Sequence, residues 1–256
     1  MKNIAIITGA SSGIGKEFVF AIDESMESID EIWLVARRKD RLETLSAKLT
    51  HETKLICGDL SNKNTVNRIA QLLKSDNCKV RMLINAAGYG ILGDFTKGER
   101  KEEYGMVDLN DRVLTDLCYV CIPYMKKNSR IINIASSAAF VPQPRFSVYA
   151  ASKSYVLSFS RSLNMELKDK GIYVTAVCPG PVRTEFFDVA EKYGTRKMSI
   201  KKATMTTPEV VVKEALKDSF TKKDISIPTF YMKVFYVICR IFPHRLIMAI
   251  TQAMYR

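Results

Sequence analysis

Asn3-Ile4-Ala5-Ile6-Ile7-Thr8-Gly9-Ala10-Ser11-Ser12-Gly13-Ile14-Gly15 is the stretch on which the fold turns. Residues 4–7 are a short apolar run rich in β-branched side chains, which reads as a strand buried on both faces. Three glycines follow, and Lys16-Glu17-Phe18-Val19-Phe20-Ala21-Ile22 can continue as a helix. A strand, a glycine turn and a helix start together form a phosphate cradle. Glycines let backbone N–H groups approach a pyrophosphate, and the helix N-terminus adds partial positive charge. The spacing is Gly-x-x-x-Gly-x-Gly, not the Gly-x-Gly-x-x-Gly dinucleotide fingerprint. It is not a P-loop either, because no Gly-Lys-Ser/Thr follows at the right distance. A glycine turn with no anion is the bland alternative, and the position after the first strand counts against it.

Outward from this stretch, strand-like apolar runs occur at 4–7, 32–35, 54–57, 80–84, 130–134 and 172–177. Helix-like stretches alternate with them at 13–25, 40–49, 62–74, 99–126, 149–169 and 207–219. This alternation predicts an α/β fold, a doubly wound parallel sheet with helices on both faces. Right-handed crossovers then bring the strand C-termini to one edge, where ligands bind at the switch in strand order. The 256 residues suit one domain with a full core, and no linker, repeat or low-complexity tract divides them.

Tyr149 and Lys153 lie four residues apart in a helix-like stretch, with Ser136 thirteen residues upstream of the tyrosine. Helical positions i and i+4 share a face, so an ammonium sits beside a phenol. A free phenol has a pKa of about 10. A fixed positive charge nearby lowers that value and makes Tyr149 a usable general acid or base. Ser136 supplies a hydroxyl able to hold a substrate oxygen. On spacing alone, a core aromatic and a solvated lysine are the commoner reading. The company these residues keep reverses it.

Together these features resemble the short-chain dehydrogenase/reductase family. Thr8-Gly-x-x-x-Gly-Ile-Gly15 matches its cofactor motif, and Asn85-Ala86-Ala87-Gly88 its Asn-Asn-Ala-Gly with the second residue changed. Asn110 matches its helix asparagine, Ser136, Tyr149 and Lys153 its catalytic set, and Pro179-Gly180-Pro181-Val182-Arg183-Thr184 its Pro-Gly-x-Val-x-Thr. The likeness runs from about residue 3 to about 184, and more loosely to about 220. It implies a single Rossmann-like domain over residues 1–256 that binds NAD(P). By this resemblance Gly9, Ser11, Ser12, Gly13, Ile14 and Gly15 cradle the pyrophosphate, and Asp59 with Leu60 meets the adenine. Asn85, Ala86 and Gly88, and Pro179, Gly180, Val182 and Thr184 at the nicotinamide, complete the cofactor site. Tyr149 and Lys153 also touch it, Lys153 through the nicotinamide ribose. Asn110, Ser136, Tyr149 and Lys153 form the catalytic group, with Asn110 placing a water between Lys153 and solvent. Residues 185–206 correspond to a substrate lid, and a homodimer or homotetramer is expected.

Cofactor choice is written at the end of the second strand, Leu34-Val35-Ala36-Arg37-Arg38. An Asp there would hold the ribose hydroxyls of NAD. Here Ala36 replaces it, and Arg37 can offer a planar fork to a 2′-phosphate. NADPH is therefore expected over NAD, with reduction of a ketone to a secondary alcohol as the direction. A steroid or 3-oxo lipid suits the apolar composition of the tail. The rival is a non-catalytic NADPH-binding sensor or scaffold, against which the intact Ser136, Tyr149 and Lys153 argue. An epimerase or dehydratase of the wider superfamily fits less well, for want of its longer C-terminal domain and glycine motif.

Charge is unevenly placed. The net charge is +12, and residues 192–256 hold 13 Lys/Arg against 4 Asp/Glu. The lid carries Phe186, Phe187, Tyr193 and the basic series Arg196, Lys197, Lys201 and Lys202. Thr207-Pro208-Glu209 looks like a helix start. Residues 228–256 read as a helical extension, apolar and basic, broken by Pro243. Its charges and proline argue against a membrane-spanning helix. It can cover the pocket, join subunits or make a peripheral membrane contact with an anionic surface. No module for nucleic acid accompanies the basic residues. The six cysteines do not suggest a disulfide scaffold, Cys118-x-x-Cys121 reads as buried helix thiols, and His51 and His244 have no obvious metal partners, so no metal is expected. Met1-Lys2-Asn3 leads straight into the first strand, which leaves no room for a signal peptide and points to the cytoplasm.

Overall fold

Ile4–Thr8 is buried without a break because both faces of its sheet are covered. Ile4 and Ile6 point into one hydrophobic core and Ala5 and Ile7 into another, as the period-two alternation of a strand requires. A computed structural model describes residues 1–195 and 205–254, with side chains given as far as residue 249. Its strands are β1 (Asn3–Thr8), β2 (Glu31–Ala36), β3 (Glu52–Cys57), β4 (Lys79–Asn85), β5 (Met125–Ile134), β6 (Tyr173–Val177) and the short β7 (Ile225–Ser226). They form one parallel sheet in the order β3-β2-β1-β4-β5-β6-β7. The strand order, not the strand direction, reverses between β1 and β4, which opens a crevice at their C-terminal ends.

Helices α1 (Gly13–Ser25), α2 (Lys39–Ser46) and α8 (Pro208–Phe220) supply Phe18, Ile22, Leu42, Val211 and Ala215 to the Ala5/Ile7 face. Helix α3 (Lys63–Ser75), α5 (Leu114–Cys121) and α6 (Ser147–Glu166) supply Ile69, Leu73, Leu117 and Val156 to the other. The doubly wound sheet is thus the one expected, and its helices begin where the glycine turn and Pro208 place them.

The long helix expected over 99–126 is interrupted. Helix α4 (Arg100–Val107) passes into a π-helical turn at Asp108–Val113 before α5 resumes. The wider turn carries Asn110 to an interior position, 1% exposed. Pro123 then ends the helix in a short 3₁₀ turn, and β5 starts at Met125, five residues before its predicted apolar run. The C-terminal extension forms α9 (Phe230–Ile241) and α10 (His244–Met254), parted at Pro243. Among the described residues, no helix is long and apolar enough to cross a membrane.

Candidate active site

The phosphate turn is built from backbone. Gly9 has φ +67°, a left-handed conformation that glycine adopts without steric cost. Gly15 lets α1 start directly against β1, since a Cβ there would overlap the Gly9 carbonyl. Thr8, at the end of β1, accepts hydrogen bonds from the Ala86 and Ala87 N–H groups at 3.1 Å and donates to the Ile84 carbonyl at 3.3 Å. One threonine thus ties the glycine turn to the Asn85–Gly88 loop across the crevice.

That crevice is a cavity of about 1190 Å³. It is lined by Gly9, Ser11, Ser12, Gly13 and Ile14, by Arg37, Asp59 and Leu60, and by Ala86 and Gly88. Ser136, Tyr149, Lys153, Pro179, Gly180, Val182 and Thr184 complete the predicted set on its wall. Gly15, Asn85 and Asn110 do not line it. Asn85 instead donates to Asn133 Oδ1 at 2.9 Å, and Asn133 donates to Ser160 Oγ at 2.9 Å, forming a buried polar chain under the site. Asn110 clamps the loop after β4: it accepts from the Tyr89 N–H at 3.1 Å and donates to the Tyr89 carbonyl at 3.0 Å. It also donates to Ser152 Oγ at 3.0 Å, and Ser152 donates to the Tyr149 carbonyl. Asn110 therefore fixes both the loop and the helix that carries the tyrosine.

Ser136, just past β5, accepts from the Ala138 N–H at 3.1 Å. Tyr149 and Lys153 project from α6. The Lys153 Nζ donates to the Ile134 carbonyl at 2.8 Å and stands 5.7 Å from the centre of the Tyr149 ring. The Tyr149 ring stacks on Phe146 at 4.3 Å and meets Phe186 of α7 (Phe186–Lys192) at 5.3 Å.

The electrostatics differ from the simple pair expected from the spacing. Burial pushes the Tyr149 phenol up to about 12, against a hydrogen bond from Ser136 that pulls it down. Burial also pushes Lys153 down to about 8, although the Asp111 carboxyl opposes this. The expected depression of Tyr149 by Lys153 is absent: burial in the low-dielectric pocket dominates both groups. Lys153 keeps its proton at neutral pH, and so does Tyr149.

Two contributors escaped the sequence reading. Arg38, rather than Arg37, reaches over the phosphate turn: its Nη2 donates to Ser12 Oγ at 2.8 Å and to Ser11 Oγ at 3.1 Å. Its Nη1 pairs with Glu185 at 2.8 Å, and Arg41 pairs with the same carboxylate at 2.6 Å. Arg37 is exposed on the cavity rim. Both arginines lie past the end of β2, with Arg38 at the start of α2, so the bend between strand and helix decides which one covers the turn. Asp111 is the second, a carboxyl raised to about 7 by burial. Of the predicted lid, α7 and Tyr193 line the cavity, while Arg196, Lys197, Lys201 and Lys202 lie outside the described residues. Cys118 and Cys121 are buried thiols raised by burial, and no metal-binding cluster exists among the described residues.

Known proteins resemble this chain in sequence and fold. The sequence profile of the family described as short chain dehydrogenase matches residues 3–193. An uncharacterised oxidoreductase of Staphylococcus saprophyticus is 33% identical over 72% of this chain and 76% of its own. A short-chain dehydrogenase from Sphingobium yanoikuyae, solved in complex with NADPH, superposes with a TM-score of 0.79 at 28% identity, covering 92% of this chain and 91% of that one. The bulky-bulky ketone specific alcohol dehydrogenase of Comamonas testosteroni superposes with a TM-score of 0.75 at 25% identity, covering 100% of this chain and 94% of that one. With its parallel sheet, glycine turn and Ser-Tyr-Lys wall, the chain belongs to the short-chain dehydrogenase family and is an oxidoreductase.

Proposed function

We propose that the protein is an NADPH-dependent reductase of an apolar ketone, with Tyr149 as proton donor. The observation that carries this reading is the convergence of the Ser136 hydroxyl, the Tyr149 phenol and the Lys153 ammonium on one wall of the cavity, beside Gly88 and Pro179-Gly180. The residues present suit a dinucleotide. The turn offers N–H groups to a pyrophosphate, and Arg38 with Ser11 and Ser12 offers donors to a further phosphate. Because no carboxylate replaces Ala36, the phosphorylated cofactor is favoured. Bound there, NADPH supplies a hydride.

The chain's own residues handle the oxygen and its proton. Ser136 and Tyr149 hydrogen-bond the carbonyl oxygen. Tyr149, neutral at physiological pH, donates its proton as negative charge develops on that oxygen. Lys153, still charged, stabilises the phenolate left behind. Asn110 acts through others, holding the Tyr89 loop and the start of α6 in place. Phe146, Phe186, Val189, Met232 and Phe235 line the substrate side and suit a large apolar body. The ketone specificity in the name of the Comamonas testosteroni neighbour supports the same substrate class.

The test is consumption of NADPH and NADH by purified protein across ketones, from small polar ones to steroids and 3-oxoacyl esters, with Tyr149→Phe alongside. Turnover that prefers NADPH and a bulky apolar ketone, and vanishes in the variant, is expected. NADPH binding without turnover across the whole series would overturn the reductase reading in favour of a sensor.

A further inference from the structure

A surface helix normally turns one apolar face to the core and a polar face to water. Helix α9 does not. Successive residues rotate by about 100° around a helix. Met232, Phe235, Tyr236 and Cys239 therefore share one face, and they pack on the body of the protein. Met232 and Phe235 also line the cavity, where Met232 packs against Gly180. The opposite face is apolar as well. It consists of Phe230, Tyr231, Val234, Val237, Ile238 and Ile241, with Phe230, Tyr231 and Ile241 each at least 70% exposed. Phe242 and Leu246 extend it toward α10 at 48% and 52% exposed. A contiguous apolar patch of this kind on a protein surface marks a contact.

Charge decides which contact. From residue 225 to the C-terminus the chain has no Asp or Glu and carries Lys233, Arg240, Arg245 and Arg256. Lys233 and Arg240 lie seven residues apart on one flank of α9, between the inward and outward faces. Lys233 reaches Glu214 at 3.5 Å, and Arg240 stacks on the Tyr236 ring at 4.9 Å. Among the described residues, no carboxylate pairs with Arg240 or Arg245. A second copy seated face to face would bring cations against cations. An anionic lipid surface would instead receive the aromatic and aliphatic side chains between its headgroups and pair its phosphates with the flanking arginines.

We infer that the outward face of α9, extended by Phe242 and Leu246, docks the protein on an anionic bilayer surface. The helix lies in the plane of the interface and does not span it. The inward face of the same helix forms part of the cavity wall, so docking sets that wall against the lipid. Docking concerns binding alone and stands apart from the reductase reading.

The test is co-sedimentation of the purified full chain with vesicles of phosphatidylcholine alone and of phosphatidylcholine with phosphatidylglycerol. Binding to the anionic vesicles is expected, weakened by raised salt. The exposed double variant Val237→Ser/Ile241→Ser should lose at least about tenfold in partitioning, with circular dichroism and thermal melting unchanged. Arg240→Gln and Arg245→Gln should each lose about fivefold on anionic vesicles. Static light scattering on the same samples tests the alternative occupant. A chain that stays in the supernatant with both vesicle types overturns docking. So does vesicle binding that survives Val237→Ser/Ile241→Ser, or an oligomer that this variant dissociates.

Discussion

The two ends of the cavity are made of different material. At the glycine-turn end the wall is largely backbone, and glycines let it pack closely. At the far end the wall is made of side chains, with Ser136, Tyr149 and Lys153 set among aromatic rings. A backbone site cannot be altered without moving the chain, so substitutions there register as lost stability. A side-chain site is carried by a fold that does not need its chemistry, so substitutions there register as lost turnover. Arg38 stands between these cases, a side chain laid over a backbone cradle.

Five substitutions would break or sharpen that contrast. Tyr149→Phe should carry the largest effect, a fall in kcat of about 1000-fold with melting temperature and cofactor affinity retained. A variant that keeps a substantial rate would place proton transfer elsewhere. Gly15→Ala comes next. Its Cβ meets the Gly9 carbonyl, so a loss of about 3 kcal/mol in denaturant unfolding is expected. If it melts like the parent and loses only turnover, the glycine-turn end is not a rigid backbone element.

Arg38→Ala should weaken NADPH about tenfold in a fluorescence titration and leave NADH unchanged. Arg37→Ala, on the rim, should do less; the opposite ranking would return the role to Arg37. Asp111→Asn is the smallest. The folded carboxyl of Asp111 is raised to about 7 from 3.8, so its burial costs nothing below pH 3.8 and destabilises increasingly as pH rises through 7. With allowance for solvent screening, the variant should be about 1 kcal/mol more stable than the parent at pH 8, with the gap closing below pH 4. A gap that persists in acid would mean the gain comes from packing and not from charge.

The sheet was legible because its strands are buried on both faces, and a doubly covered strand is spelled as a continuous apolar run. Ile4–Ile7 and Ile32–Val35 both read that way. The break in the helix after Val107 was not legible. A π-helical turn costs one hydrogen-bond shift and leaves no mark in residue type, so spacing placed Asn110 on a regular helix and only the family resemblance singled it out. Asn133 was hidden for a related reason. It sits in an apolar run, and its partners Asn85 and Ser160 come from other elements far away in the chain.

Sequence alone specified the βα alternation and the glycine turn, because each depends on local spacing and residue chemistry, and it singled out Ser136, Tyr149 and Lys153 through the company of the other motifs. Assembly of the chain decided the rest. Which arginine covers the glycine turn depends on the bend between β2 and α2. Whether Lys153 lowers the Tyr149 pKa depends on how much water reaches the pair, and burial leaves too little for either charge to form easily. The two apolar faces of α9 look alike in the sequence. Only packing shows that one is buried and the other is not, because burial belongs to contacts between elements and not to the helix itself.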